Sequence, residues 1–380
     1  MGIGDSPGTT AVLSARAPRG QGGYAVVVGG MNIDIQGRSA ETYRPGDSNP
    51  GKASMSPGGV GRNIAENLVR LGLRTELVTV IGDDALSAEL ASSCGKLGIG
   101  LRGAIGLRAT AASQYLCLLD AEGFLVGAIA DMDSVEKLTP ERVAERSGLL
   151  DDAILIVADA NLPCETLEWL AARYGRGGEA ESFRRSGGPR RPLLCLDPVS
   201  VAKAPRAARI LADFDFSKPN RREAEILGGV KIESEADLPR AAAALRTLGK
   251  SGALPPATAS GGPPPMGLQN AFPSGLPPVD VFISLGTDGI YFDGFAADYG
   301  FERGIARPPV VEAISVSGAG DAACAALAWG RLAGYGVAER AALAVSAAAL
   351  ATATLVTVNE ETTPERLLEL SKGVNLERLS

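Results

Sequence analysis

The sequence predicts an α/β fold: a three-layer α/β/α arrangement with a mainly parallel central sheet, helices on both faces, and a small β-sheet lid. Three observations point there. Short, continuously apolar β-type runs alternate with helix-type runs, the pattern of a sheet buried on both sides. Two other stretches, within about 35–56 and 113–131, alternate polar and apolar residues around Asp-Ser-Asn-Pro-Gly and Ala-Glu-Gly turn signals, as half-exposed antiparallel strands do. A length of 380 residues with 45% hydrophobic and 21% charged side chains suits a large domain with a core and not a disordered chain.

Taken in order, residues 24–29 (YAVVVG) read as a buried strand. Residues 60–71 read as a helix, with Val60, Ile64, Leu68 and Leu71 on one stripe and Gly72 as its stop. Further buried strands are expected at 76–81, 153–158, 193–196 and 281–285, and close-packing Ala-rich helices at 319–332 and 339–354. The Gly-, Arg- and Ser-rich stretch 175–189 and the Pro- and Gly-rich stretch 249–278 hold too little apolar surface to fold and read as flexible inserts. The expected plan is a tail at 1–22, one domain at 23–372 carrying the lid strands and the inserts, and a tail at 373–380.

Composition excludes whole classes of function. A net charge of −7 repels nucleic-acid phosphate, so no nucleic-acid partner is expected. With 0 histidines there is no Ser-His-Asp or Cys-His nucleophile and no imidazole base; proton transfer falls to Asp, Glu, Lys, Tyr or Cys. The 5 cysteines, odd in number and without a C-x-x-C spacing, read as free thiols in a reducing compartment. No apolar run approaches the roughly 18 residues of a membrane span. Residues 1–22 lack a signal-type apolar core, so a cytoplasmic protein is expected; MGIGDS formally fits N-myristoylation at Gly2, as does any tail that begins Met-Gly.

The chemistry concentrates in five places. SGAGD at 317–321 opens the first Ala-rich helix, where small residues let amides crowd an anion and the helix end adds about half a positive charge. Asp321 sits beside those amides, placed to take a hydroxyl proton while they hold a phosphoryl group; a plain glycine turn at a helix start has the same residue types. Asn32 and Asp34 follow the first strand at its carboxyl end, either as sugar-hydroxyl partners or as a turn. PGGVGRN at 57–63 lets a ligand approach Gly58 and Gly59 with Asn63 one turn in, or is simply a glycine-rich helix start. Asn220 and Glu223 have capping-box spacing, and Glu223 equally suits a hydrated magnesium ion. Gly286 and Gly289 close a buried strand with a turn open to nucleotide phosphate or ribose. GDSNPGK at 46–52 matches a Walker A spacing, but Ala53 stands at the metal-binding hydroxyl position and no buried strand precedes it; a G-x-G-x-x-G fingerprint is absent, which removes the support for a nicotinamide dehydrogenase.

In this order the motifs resemble the ribokinase (PfkB) family of carbohydrate kinases over residues 26–359 outside the inserts, with SGAGDA at 317–322 the most specific. Within the family the segments GGMNIDIQGRS (29–39), SQYLCLLD (113–120), ADMD (130–133), IVADAN (156–161), LDPVS (196–200), KPNRREAE (218–225) and above all DSNPGK followed by PGGVGRNIA are most similar to the kinases of pseudouridine. The resemblance implies a ribokinase-like fold and ATP- and Mg²⁺-dependent phosphorylation of a ribose 5′-hydroxyl. It implies that Asp321 is the base and that Gly318, Ala319 and Gly320 form the anion hole. Asn220 and Glu223 would organise magnesium and the ATP phosphates, Glu223 through water, and Gly286, Thr287 and Gly289 would contact the nucleotide. Asn32, Asp34, Gly58, Gly59 and Asn63 would hold the ribose, and Asn49, Lys52, Gln114 and Asp131 of the lid would select the C-linked uracil. A homodimer through the lid and a separate glycosidase acting on the product are also implied. Two departures stand out. Ser315-Val316 replace the family's Asp-Thr, taking the carboxylate from its monovalent-cation site, and Ala323 replaces a bulky residue. The competing expectations are a kinase for adenosine, inosine, ribose or fructose, and an inactive ligand-binding regulator; the presence of Asp321, the glycines and Glu223 favours an active enzyme.

Overall fold

Six strands, Thr75–Val78, Ala25–Val28, Leu155–Asp159, Leu193–Asp197, Phe216–Ser217 and Asp280–Ser284, run parallel side by side in that order. A computed structural model of the chain describes residues 9–10, 13–16, 22–179, 191–248, 279–296 and 300–379. The sheet continues through Ile290–Ala296, Gly300–Arg307, Asn375–Arg378 and Thr9–Thr10, which pair antiparallel. Successive side chains of a strand point to opposite faces, and each face has its own core. Ala25 and Val27 pack with the helices Val60–Arg70, Ala319–Ala333 and Val337–Thr352, whereas Val26 and Val28 pack with Cys164–Tyr174 and Leu238–Thr247. The three-layer α/β/α arrangement is therefore as the alternation of apolar runs predicts.

Several boundaries differ from the sequence reading. The run 76–81 is split: Thr75–Val78 joins the large sheet, while Val80–Ile81 turns away to pair with Ile105–Gly106. Residues 373–379 are not a free tail, because Asn375–Arg378 completes the sheet against Gly300–Arg307. That strand carries little apolar character of its own and owes its conformation to the edge offered to it. The described part of the N-terminal segment is also attached: Thr9–Thr10 pairs with Asn375 and Leu376, and Arg16 donates to the Gly334 carbonyl at 2.8 Å and pairs with Glu339. The insert 249–278 and most of 175–189 lie outside the described residues. Cys94, Cys195 and Cys324 are buried, Cys117 is half-buried and Cys164 exposed; all are free.

The lid is a four-stranded sheet of Gly51–Gly58, Asn32–Ser39, Ser113–Leu119 and Leu125–Asp131. It is not wholly antiparallel, since Asn32–Ser39 and Ser113–Leu119 pair in parallel. Both leave the body in the same direction, and the chain between them returns through Val60–Arg70 and the strands beside it, a crossover that parallel pairing requires.

Candidate active site

The carboxyl ends of the parallel strands meet at one rim, where an open α/β sheet binds ligands. Asp159, fully buried at the end of its strand, accepts the N–H groups of Gly30 at 2.8 Å and Asn161 at 2.9 Å. It thereby fixes the exit of the first strand towards Asn32 and Asp34. Burial is the main cause that pushes its carboxyl up to about 6, against those two N–H bonds. Asn32 donates to Asp34 at 2.7 Å. Asp34 is half-buried, and burial raises it from the usual carboxylate range.

The glycine pair is a steric necessity. A side chain at Gly58 would strike the Asp34 carboxylate, and Gly59, at φ 101°, lies against the backbone of Gly30 and Met31. Gly59 starts the helix that carries Asn63, whose Nδ2 donates to Asp321 Oδ2 at 2.8 Å across 258 residues of sequence. One hydrogen bond thus joins the two glycine-rich motifs.

Gly318 caps the helix Ala319–Ala333 at φ 76°, packed on the Thr357 carbonyl. The first bond inside that helix runs from the Ala322 N–H to the Gly318 carbonyl, so the amides of Ala319, Gly320 and Asp321 have no partner within it and face the rim. Gly318→Ala is expected to lower kcat by about 10²-fold by displacing an anion-holding amide, and to destabilise the fold by about 2–5 kcal/mol, from the left-handed backbone and the clash with the Thr357 carbonyl. Turnover and a thermal melt of that variant would show it; unchanged turnover would remove the amides from the mechanism.

Asp321 has its pKa pushed up to about 7, first by burial and then by the charge of Asp197, with the Asn63 hydrogen bond and Lys218 opposing. Asp197 ends its strand, accepts the Val199 N–H at 2.8 Å and pairs with Lys218 at 3.6 Å. Lys218 is buried, and a Cβ placed on Gly320 would stand 3.5 Å from its Nζ, so the ammonium lies beside the anion-holding loop. Burial alone would lower the lysine pKa; Asp197, Glu223 and Asp321 more than offset it, and the group stays protonated.

Asn220 and Glu223 form a complete capping box. Asn220 Oδ1 accepts the Glu223 N–H at 3.0 Å, and the two Glu223 oxygens accept from the Asn220 backbone at 2.8 Å and its side chain at 2.6 Å. Direct metal ligation would compete with both bonds, whereas the remaining lone pairs suit a hydrated ion. Among the described residues no cluster of three or more Asp, Glu, His or Cys side chains could hold a metal directly. The turn Gly286–Asp288 lies next along the rim, with Gly286 and Thr287 exposed and Gly289 buried at φ 103°. Arg221 pairs with Asp288 at 3.6 Å and fastens that turn to the Asn220 helix.

The lid candidates do not converge. Lys52 is the register partner of Arg38 and so shares the sheet face of Asn32 and Asp34. Gln114 pairs with Ile33 and with Asp131, which puts both on the opposite face. The Asn49 side chain is occupied by its own loop, bonding Arg44 at 2.7 and 2.9 Å and the Asp47 carbonyl at 3.0 Å. Four functional candidates escaped the sequence reading: Arg62, Asp159, Asp197 and Lys218. Asp159 and Asp197 each close an apolar strand with a charge at its carboxyl end, a signal the sequence does carry, whereas Lys218 follows the two-residue strand Phe216–Ser217.

The sequence matches the pfkB family carbohydrate kinases over residues 23–254 and 273–363. The chain belongs to that family. Among curated relatives, this kinase is 31% identical to the pseudouridine kinase of Escherichia coli over 305 residues, 80% of this chain and 82% of the relative. It is 36% identical to an uncharacterized sugar kinase of Escherichia coli, YeiI, over 226 residues, 60% of this chain and 58% of the relative. A solved carbohydrate kinase from Agrobacterium tumefaciens superposes with a TM-score of 0.69 at 25% identity, covering 94% of this chain and 100% of that one.

Proposed function

We propose that this kinase transfers the γ-phosphoryl group of ATP to the ribose 5′-hydroxyl of pseudouridine, releasing ADP and pseudouridine 5′-phosphate. The observation that carries the reading is the 31% likeness to a pseudouridine kinase over 80% of the chain, joined to a site where Asn63 of the glycine-pair helix touches Asp321 of the anion-holding helix. Asp321 takes the proton of the 5′-hydroxyl as its oxygen attacks phosphorus. The Ala319 and Gly320 amides and the Lys218 ammonium hold the transferring phosphoryl group. Asn32, Asp34, Gly58 and Gly59 hold the sugar, and Gly286, Thr287 and Gly289 the nucleotide. Magnesium, held through water by Glu223 with Asn220, would neutralise phosphate charge when bound. The lid excludes water, which protects ATP from hydrolysis while the sugar is positioned.

Three partners and settings follow from the same reading: a second copy meeting this one through the lid, a separate glycosidase that consumes the product, and a reducing cytoplasm, which the five free thiols suit. No helix among the described residues is long and apolar enough to cross a membrane. The likeness to YeiI, a sugar kinase without an assigned substrate, favours one second reading: the same chemistry on another nucleoside or sugar.

The base must be ionised to act, and its pKa is raised to about 7. The kcat/KM profile is therefore expected to fall as pH drops through about 7. A profile flat down to pH 5 would remove Asp321 from the role of base.

A further inference from the structure

We propose that Arg62 is a positioning residue for phosphoryl transfer, fixing the Asn63 side-chain amide so that its N–H groups, and not its carbonyl, face Asp321 and the sugar. The inference rests on the reading of Asp321 as the base and adds what holds that base in its working environment. The two ends of an amide are nearly the same shape, so packing alone sets no orientation. A guanidinium carries only donors and can face only the amide oxygen. Arg62 Nη1 donates to Asn63 Oδ1 at 3.0 Å, and Asn63 Nδ2 donates to Asp321 Oδ2 at 2.8 Å. One N–H of the amide remains for an oxygen of the substrate.

The arginine is itself held. Its Nη2 pairs with Glu66 at 2.6 Å, and the other Glu66 oxygen accepts from Arg70 at 2.7 and 2.9 Å. Arg70 in turn donates to the Glu360 carbonyl at 3.1 Å. Arg62, Asn63 and Glu66 are all buried, so this chain of bonds lies out of competition with water. Residues adjacent in a helix do not normally face one another, so the Arg62–Asn63 bond is not an ordinary helical pairing. Among the described residues the buried Arg62 Nε has no hydrogen-bond partner, a feature that an arginine kept only for stability would be expected to avoid.

Asp321 is faced by Asp197 and Asp159 from the strand ends, by Lys218 from the loop after Phe216–Ser217, by Cys324 on its own helix, and by Asn63 backed by Arg62. A flipped amide would set a carbonyl oxygen against the Asp321 carboxylate, an arrangement compatible only with the protonated, inactive acid. Loss of Arg62 should therefore appear in the pH profile as well as in the rate.

The test compares kcat/KM against pH for the parent, Arg62→Gln, Arg62→Lys and Asp321→Asn. Arg62→Gln is expected to lower kcat by about tenfold, with the KM for ATP unchanged and the acid limb moved to higher pH. Arg62→Lys, which keeps donors for both Asn63 and Glu66, is expected to restore much of the rate and the parent limb. An Arg62→Gln limb that coincides with the parent's, while Asp321→Asn is inactive, overturns the positioning role and leaves the base intact. An active Asp321→Asn overturns the base and with it this inference. A measurement on the unmutated protein covers the case in which Arg62→Gln does not fold: the Asn63 side-chain NH₂ resonances, assigned against Asn63→Ala, are expected to titrate with the acid limb, and resonances flat across it would overturn the orientation.

Discussion

Replacing Asp321 with asparagine is expected to lower turnover by about 10²–10⁴-fold while nucleotide binding survives. The variant keeps the size of the side chain, the acceptor for Asn63 Nδ2 and the helix N-terminus, and loses only the proton acceptor. It is also expected to be more stable than the parent at pH 8. Asp321 has a folded pKa of about 7, above the unfolded carboxylate value, so the native state binds its proton more tightly than the unfolded chain does. The contribution to stability is greatest below the unfolded pKa of roughly 4 and is lost as pH rises through about 7; asparagine escapes that loss. A gain on the order of 4 kcal/mol at pH 8 that vanishes near pH 4 is expected from paired thermal melts. Near-parent turnover, or a variant less stable at pH 8, would contradict the description of Asp321 as a half-buried base crowded by Asp197.

Lys218→Met is expected to have two separable effects. Turnover should fall by about 10²–10³-fold, because the Lys218 ammonium beside Gly320 is removed from the transferring phosphoryl group. Stability should fall by about 3–5 kcal/mol, because buried Asp197 loses its counter-charge. The double variant Lys218→Met/Asp197→Asn is expected to recover most of the stability and none of the rate. Recovery of both would reduce Lys218 to a structural ion-pair partner.

The fold was largely legible because the strongest signals are local. Runs such as AVVV at Ala25–Val28 and LIVAD at Leu155–Asp159 are apolar enough to be buried on both faces, and strand length separates them from helices. Strands that depend on a partner were not legible. Asn375–Arg378 has no periodicity that marks it, and it is a strand because Gly300–Arg307 presents an open edge. The parallel pairing within the lid was hidden for the same reason, since register belongs to two strands and a crossover and not to either segment. The glycine motifs could be found because small residues at a helix start have few other uses. Their joining through Asn63 and Asp321 could not, as 258 residues separate the partners. Lys218 lies within KPNRREAE (218–225), yet its burial beside Gly320 and its pairing with Asp197 join segments far apart in sequence. Lid selectivity is the least legible part: Gln114 and Lys52 read alike as polar residues in alternating strands, and a one-residue difference in phase sends them to opposite faces.

The most direct test of the account is ADP release by the purified protein with ATP and magnesium, measured in parallel on pseudouridine, uridine, adenosine, inosine, ribose and fructose, with Asp321→Asn as the control. Turnover on pseudouridine well above all the others, yielding the 5′-monophosphate and absent in the control, is the expected result. Preferred turnover on another compound would contradict the substrate assignment, and no turnover on any of them by a folded, nucleotide-binding protein would contradict the kinase mechanism itself.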